Sequence, residues 1–255
     1  MKHAIFRFVS LCVVVLSFSF VADAFAEHEL TVSAAASLTN AFGEIGKKFE
    51  SANPGTKVVF NFGASGVLFQ QIDKGAPVDV FASADQKTMD QAMEKNLIIP
   101  DTRQNFVSNE LVLIYPHGAK TPVKALQDLA AKEIGKVALG NPETVPAGRY
   151  TQEVLTNEGL WEELKPKFIF AESVRQVLDY VSRGEVDAGF VFATDAAVAK
   201  DRVETALEAR KHKPITYPIS VVGSTGNGDL ARRFVEFVVG AEGREILSKH
   251  GFNKP

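Results

Sequence analysis

Two serines and two pairs of small residues are the positions in this sequence with the chemistry to hold a ligand. Ser37 follows Ala36, Ser65 follows Ala64, Ala147 precedes Gly148, and Val174 follows Ser173. Each lies where a short apolar run gives way to helical periodicity, so each marks a strand-to-helix turn. The first N–H groups of a helix have no intrahelical acceptor, and the helix dipole adds partial positive charge there. Serine contributes a hydroxyl as well, and Gly63 and Gly66 let the backbone beside Ser65 approach a bound group. Such positions bind anions through neutral donors. The same residue types also serve as routine helix caps, Ser65 reading as an N-cap, and the two readings stay open on this evidence.

Other chemistries fit poorly. Gly63-Ala64-Ser65-Gly66-Val67 lacks the last glycine of the Gly-x-Ser-x-Gly nucleophile elbow. His117, His212 and His250 are flanked by Pro, Lys and Gly and read as solvent-facing, which leaves a secreted serine hydrolase without a base. The sequence holds no Gly-x-Gly-x-x-Gly run, no phosphate-loop lysine and no histidine pair at metal-ligand spacing. Glu143, Glu172 and Asp195 read as solvated surface carboxylates. The expectation is a protein that is not an enzyme and carries no cofactor.

The elements that position the four turns follow from periodicity. Leu30–Ala34 and Val58–Phe60 read as strands, each leading into a helix. Pro77–Asp85 holds a short strand, followed by a helix over 87–95. Leu111–Tyr115 is an apolar strand, and a helix is expected over 123–132 before the strand Val137–Leu139. Helices near 149–158 and 174–181, strands at 168–170 and 188–193, a strand split by Pro218 over 215–222, and one last helix over 229–249 complete the order. Alternating βα units imply parallel strands with crossover helices. The order suits two lobes, 27–108 with 219–255 and 109–218, joined by two chain crossings. A ligand would lie between them, at the C-terminal ends of the parallel strands.

Residues 1–26 read as a secretory signal peptide. Lys2, His3 and Arg7 precede the apolar run Phe8–Val21, and Ala24-Phe25-Ala26 supplies a cleavage site after Ala26. The single cysteine, Cys12, lies inside it, so the mature chain has neither a disulfide nor a thiolate metal site. About 229 residues remain, enough to be stabilised by packing alone. Loss of Lys2, Arg7 and Asp23 takes the formal charge from −3 to −4. With no basic block, nucleic acid is not an expected partner. An anionic ligand would be held by local donors rather than drawn in by overall charge.

Four segments occur in order that together resemble the periplasmic molybdate-binding proteins of ABC transporters. They are Val32-Ser33-Ala34-Ala35-Ala36-Ser37-Leu38, Phe62-Gly63-Ala64-Ser65-Gly66, Pro77–Asp85, and Val145-Pro146-Ala147-Gly148-Arg149-Tyr150. The resemblance implies an α/β, two-lobed type II periplasmic binding fold and a tetrahedral oxyanion ligand, molybdate or tungstate. Molybdenum would be held only as that oxyanion. It implies hydroxyl and backbone donors at Ser37 and Ser65, and backbone donors at Ala147 and Val174. A fifth position, commonly a tyrosine hydroxyl in the family, falls at Phe192, which has no donor. It further implies a monomer that delivers its ion to a membrane permease and ATPase. Sulfate, also acceptor-only, is the alternative ligand.

Overall fold

The computed structural model describes residues 28–255. The expected signal segment 1–26, its cleavage after Ala26, and Cys12 lie outside the described residues. The first lobe opens with β1 (His28–Ala35), a 3₁₀ turn at Ala36–Leu38 and α1 (Thr39–Ala52). It continues through β2 (Thr56–Gly63), α2 (Ser65–Asp73), β3 (Val80–Ala82), α3 (Gln86–Glu94) and β4 (Gln104–Asn109). The second lobe holds β5 (Leu111–Pro116), β6 (Val137–Gly140), α4 (Pro146–Asn157), α5 (Trp161–Leu164) and β7 (Phe168–Ala171). It closes with α6 (Val174–Ser182), β8 (Ala188–Phe192), α7 (Ala193–Val198) and β9 (Val203–Glu208). The chain then returns through β10 (Ile215–Val221), α8 (Gly228–Val239) and α9 (Ala241–Lys249).

The two lobes are built on one plan. The first sheet runs β2-β1-β3-β10-β4 and the second β7-β6-β8-β5-β9. In each, the first three strands are parallel and the fourth runs against its neighbours. The C-terminal ends of β1, β2 and β3 therefore face the same way in one lobe, as do those of β6, β7 and β8 in the other. Each end leads within a few residues into a helix or a 3₁₀ turn, the longest connection being 141–145 after β6, and residues at or just after all six ends line the space between the lobes.

Packing explains why these segments hold their form. Ala41, Phe42, Ile45 and Phe49 recur at helical spacing and form the buried face of α1. Phe42 packs its ring against Phe60, Phe106 and Phe234, with centroids 6.1, 5.9 and 6.2 Å away. Contacts of this geometry add about 0.5–1.5 kcal/mol each beyond their buried area. α6 buries Val177, Leu178 and Val181, and covers β8.

Several expectations need correction. The helix read over 123–132 is only a 3₁₀ turn, Leu126–Ala130. The last helix breaks at Gly240, whose extended backbone separates α8 from α9. β10 joins the first sheet from Ile215 onward and absorbs Pro218 as a register shift after Tyr217. The second passage between sheets thus lies between Glu208 and Ile215, before residue 219. The first is a single residue, Glu110, between β4 and β5.

Candidate ligand-binding site

Between the lobes lies a small cavity of about 10 Å³. From the first lobe it is lined by Ser37 after β1, Ser65 after β2 and Ala84 after β3. Ala147 after β6, Val174 after β7 and Phe192 at the end of β8 line it from the second. The structure thus brings together all four donor positions read from the sequence, and places Phe192 beside them. No ionisable side chain reaches the wall. The volume is far below the roughly 300–1,000 Å³ of pockets that take drug-sized molecules.

Backbone position supplies the donors. Ser65 and Val174 are the first residues of α2 and α6, and Ala147 is the second of α4, so their N–H groups have no acceptor within the helix. Pro146 at the first position of α4 costs no hydrogen bond for the same reason. Ser37 lies within the 3₁₀ turn after β1. Gly148 packs so tightly on β6 that a Cβ would sit 2.0 Å from the Gly140 oxygen. That contact fixes how far the start of α4 reaches into the cavity.

The capping reading of Ser65 is corrected. Ala64 is the N-cap of α2 and the Ser65 side chain makes no cap bond. Instead Ser65 Oγ accepts from the Ala84 N–H at 3.0 Å, which leaves its proton available to the cavity. Ser37 Oγ meets the Tyr217 hydroxyl at 3.0 Å. Ser173 does cap α6, accepting from the Gln176 N–H at 3.2 Å. Phe192 is buried and presents only its ring, which stands edge-on to Tyr150 and Tyr217 at 6.4 and 5.8 Å.

The charged groups stand one layer back, and sequence reading missed their pairing. Arg149 on α4 crosses the cleft to Asp85, the N-cap of α3, with Nε at 2.8 Å and Nη2 at 2.6 Å from Oδ2. Arg149 Nη2 also donates to Thr88 Oγ1 at 2.8 Å. A second crossing is backbone to backbone, from the Gly66 N–H to the Thr144 oxygen at 2.9 Å. Asp195 is fully buried rather than solvated, and Arg175 Nε donates to its Oδ1. Burial pushes its carboxyl up to about 6, against the opposing pull of Arg175. Arg175 Nη2 also approaches the Ser37 oxygen at 3.5 Å. Glu143 and Glu172 are exposed, and His250 is not free in solvent but lies 3.0 Å from Glu44 Oε2. Outside the Arg149–Asp85 pair, a wider groove carries Lys87 and Lys213 beside Asp90, Glu94 and Glu153, so it is lined by charges of both signs rather than by neutral donors alone.

Known proteins match this arrangement along nearly its whole length. The sequence profile described as "Bacterial extracellular solute-binding protein" matches residues 30–253. The chain belongs to this family. Among solute-binding proteins it is 39% identical over 246 residues to "Molybdate-binding protein ModA" of Escherichia coli, covering 93% of this chain and 94% of that protein. The solved "substrate binding domain of putative molybdenum ABC transporter from Clostridium difficile" is 41% identical, with a TM-score of 0.67, covering 89% of this chain and 99% of that one. The periplasmic molybdate-binding protein of Azotobacter vinelandii is 27% identical with a TM-score of 0.78, covering 89% and 99%. All three carry the names of substrate-binding proteins, and none that of an enzyme. The two-lobed α/β architecture is the type II periplasmic binding fold.

Proposed function

We propose that this chain binds molybdate, and tungstate, in the cavity between its lobes and delivers it to the permease and ATPase of an ABC transporter. One observation carries the reading. A small cavity between the lobes is walled by helix starts and two serines, with no ionisable side chain on its surface. Molybdate is a dianion at neutral pH and has only acceptor oxygens, so a site made of donors satisfies it. Monohydrogen phosphate carries a proton and needs an acceptor, which none of Ser37, Ser65, Ala147 and Val174 provides as a carboxylate. Amides fixed at helix starts neutralise a dianion without a buried counter-ion. The lobes close over the ion by motion at the two passages between the sheets. The protein works outside the cytoplasm as a monomer, after removal of residues 1–26, without cofactor or nucleic acid.

Calorimetry of the mature protein against molybdate, tungstate, sulfate and phosphate tests this. Molybdate and tungstate are expected to bind, and phosphate to give no heat. Sulfate binding equal to or tighter than molybdate would reassign the ligand, because sulfate differs from it only in size. Absence of any oxyanion binding would overturn the class.

Phe192 gives a second test. Its ring lines the cavity without offering a donor. Phe192→Tyr is expected to tighten molybdate binding by roughly one to two decades, the equivalent of one hydrogen bond to a charged group, ~1.5–3 kcal/mol. Unchanged affinity in the same titration would mean that other donors already satisfy that oxygen.

A further inference from the structure

The Ser37 hydroxyl is the one cavity donor whose proton has two places to go. It can point to the ligand or to Tyr217 Oη, 3.0 Å away. Tyr217 is fully buried on β10, and its hydroxyl has a second neighbour, Asn109 Nδ2, at 3.2 Å. The orientation of that amide is fixed from outside. The Glu110 N–H can only donate, and it meets Asn109 Oδ1 at 2.9 Å. The amino group of Asn109 therefore faces Tyr217, and also donates to Thr194 Oγ1 at 2.9 Å. An amino group has protons and no acceptor, so Tyr217 Oη must accept from it. The phenol's own proton is then left with one acceptor within reach, Ser37 Oγ. Leaving it unpaired in a buried site would cost more than the bond is worth.

We infer that Tyr217 is a positioning and specificity-determining residue of the oxyanion site, donating to Ser37 Oγ so that the Ser37 proton is directed into the cavity. The direction of each bond then runs one way, from the Glu110 N–H through Asn109 and Tyr217 to Ser37. Ser65 is held by the same device, with the Ala84 N–H in the place of the phenol. Burial and the nearby Asp195 charge push the Tyr217 phenol up, so it keeps its proton at physiological pH. Ser37, Tyr217 and Asn109 all belong to the first sheet or the turn after β1, so the bonds among these three lie within one lobe. Selectivity follows from it. A serine whose proton is committed to the ligand favours acceptor-only oxyanions, whereas a serine free to rotate can also accept from a protonated one.

This inference rests on the oxyanion reading for its binding arm, and its stability arm does not. Tyr217→Phe is expected to weaken molybdate binding about tenfold and to narrow the ratio of molybdate to monohydrogen phosphate affinity. In a Ser37→Ala background the same substitution should change molybdate affinity by less than twofold, because the residue it acts through is gone. Equal losses in both backgrounds, or no loss in either, overturn the inference. Thermal melts of the ligand-free variants read the same bond without any ion. Ser37→Ala should lower the midpoint by several degrees by stranding the phenol proton, and adding Tyr217→Phe should recover part of that. No recovery overturns the donor assignment. In the unsubstituted protein, the buried Tyr217 hydroxyl proton should show a through-space NMR contact to the Ser37 β-protons. A hydroxyl proton in fast exchange with solvent overturns it, even if Tyr217→Phe fails to fold. If no oxyanion binds the unsubstituted protein, the molybdate reading falls while the melts still decide the role of Tyr217.

Discussion

Arg149→Ala is expected to lower molybdate affinity by about two decades while leaving the melting midpoint of the ligand-free protein within a few degrees. The reason lies in where its partner sits. Asp85 belongs to the first lobe and Arg149 to the second, and their side chains are 5% and 14% exposed. Removing one member of a buried pair strands the other, at a cost of about 3–5 kcal/mol. That cost applies only while the lobes are together. In an open form Asp85 meets water, so the loss appears as a shift towards the open state and not as unfolding. Since each 1.4 kcal/mol is tenfold in affinity, a cost of this order weakens binding by roughly two decades or more. Arg149→Lys should recover only part of the affinity, because an ammonium cannot reach Asp85 Oδ2 and Thr88 Oγ1 together as the guanidinium does. Calorimetry with parallel melts separates the cases. A fall in the ligand-free midpoint with no change in affinity would make the pair a folding contact instead.

The four turns that touch the cavity were legible in local order, and the resemblance to molybdate-binding proteins picked out which residues in them would donate. A short apolar run leading through small residues into a helical pattern marks the turns at Ser37, Ser65, Ala147 and Val174 without any knowledge of the sheets. What surrounds them was not legible, because it is assembled from distant segments. Arg149 and Asp85 are 64 positions apart, and Tyr217 is 180 from Ser37. Asp195 sits in Thr-Asp-Ala, a triplet with the look of an exposed turn, yet it is fully buried and accepts from Arg175 on α6. The strands that escaped notice, β4 and β9, are edges of their sheets. Gln-Asn-Phe-Val-Ser-Asn and Val-Glu-Thr-Ala-Leu-Glu carry the polar residues that an edge tolerates and a central strand does not. Ser65 misled for a related reason. A serine before a helical run signals a cap, but here the backbone N–H of Ala84, brought in by β3, claims its oxygen first.

Gly66→Ala should make the protein slightly more stable and bind molybdate roughly a hundredfold more weakly. The two effects have opposite signs because they arise in different states. Gly66 is the second residue of α2 and its φ is not positive, so alanine fits the helix and adds up to ~0.5–1 kcal/mol of stability by restricting the unfolded chain. In the closed form, however, a Cβ at this position would lie 2.7 Å from the Thr144 oxygen and 2.8 Å from its Cα. Both are backbone atoms of the opposite lobe, and no rotamer change relieves the clash. The lobes must stay apart by a fraction of an ångström or more. That displacement breaks the Gly66–Thr144 hydrogen bond and pulls Ala147 and Val174 back from an ion held by Ser37 and Ser65. Distance matters steeply here, since a hydrogen bond weakens rapidly once donor and acceptor part beyond about 3.2 Å. Small-angle scattering should show that molybdate compacts the unsubstituted protein and leaves Gly66→Ala extended. Compaction of the variant at unchanged affinity would show that the cavity forms without this contact, and would place the closing force on the side-chain crossings made by Arg149 and Arg175.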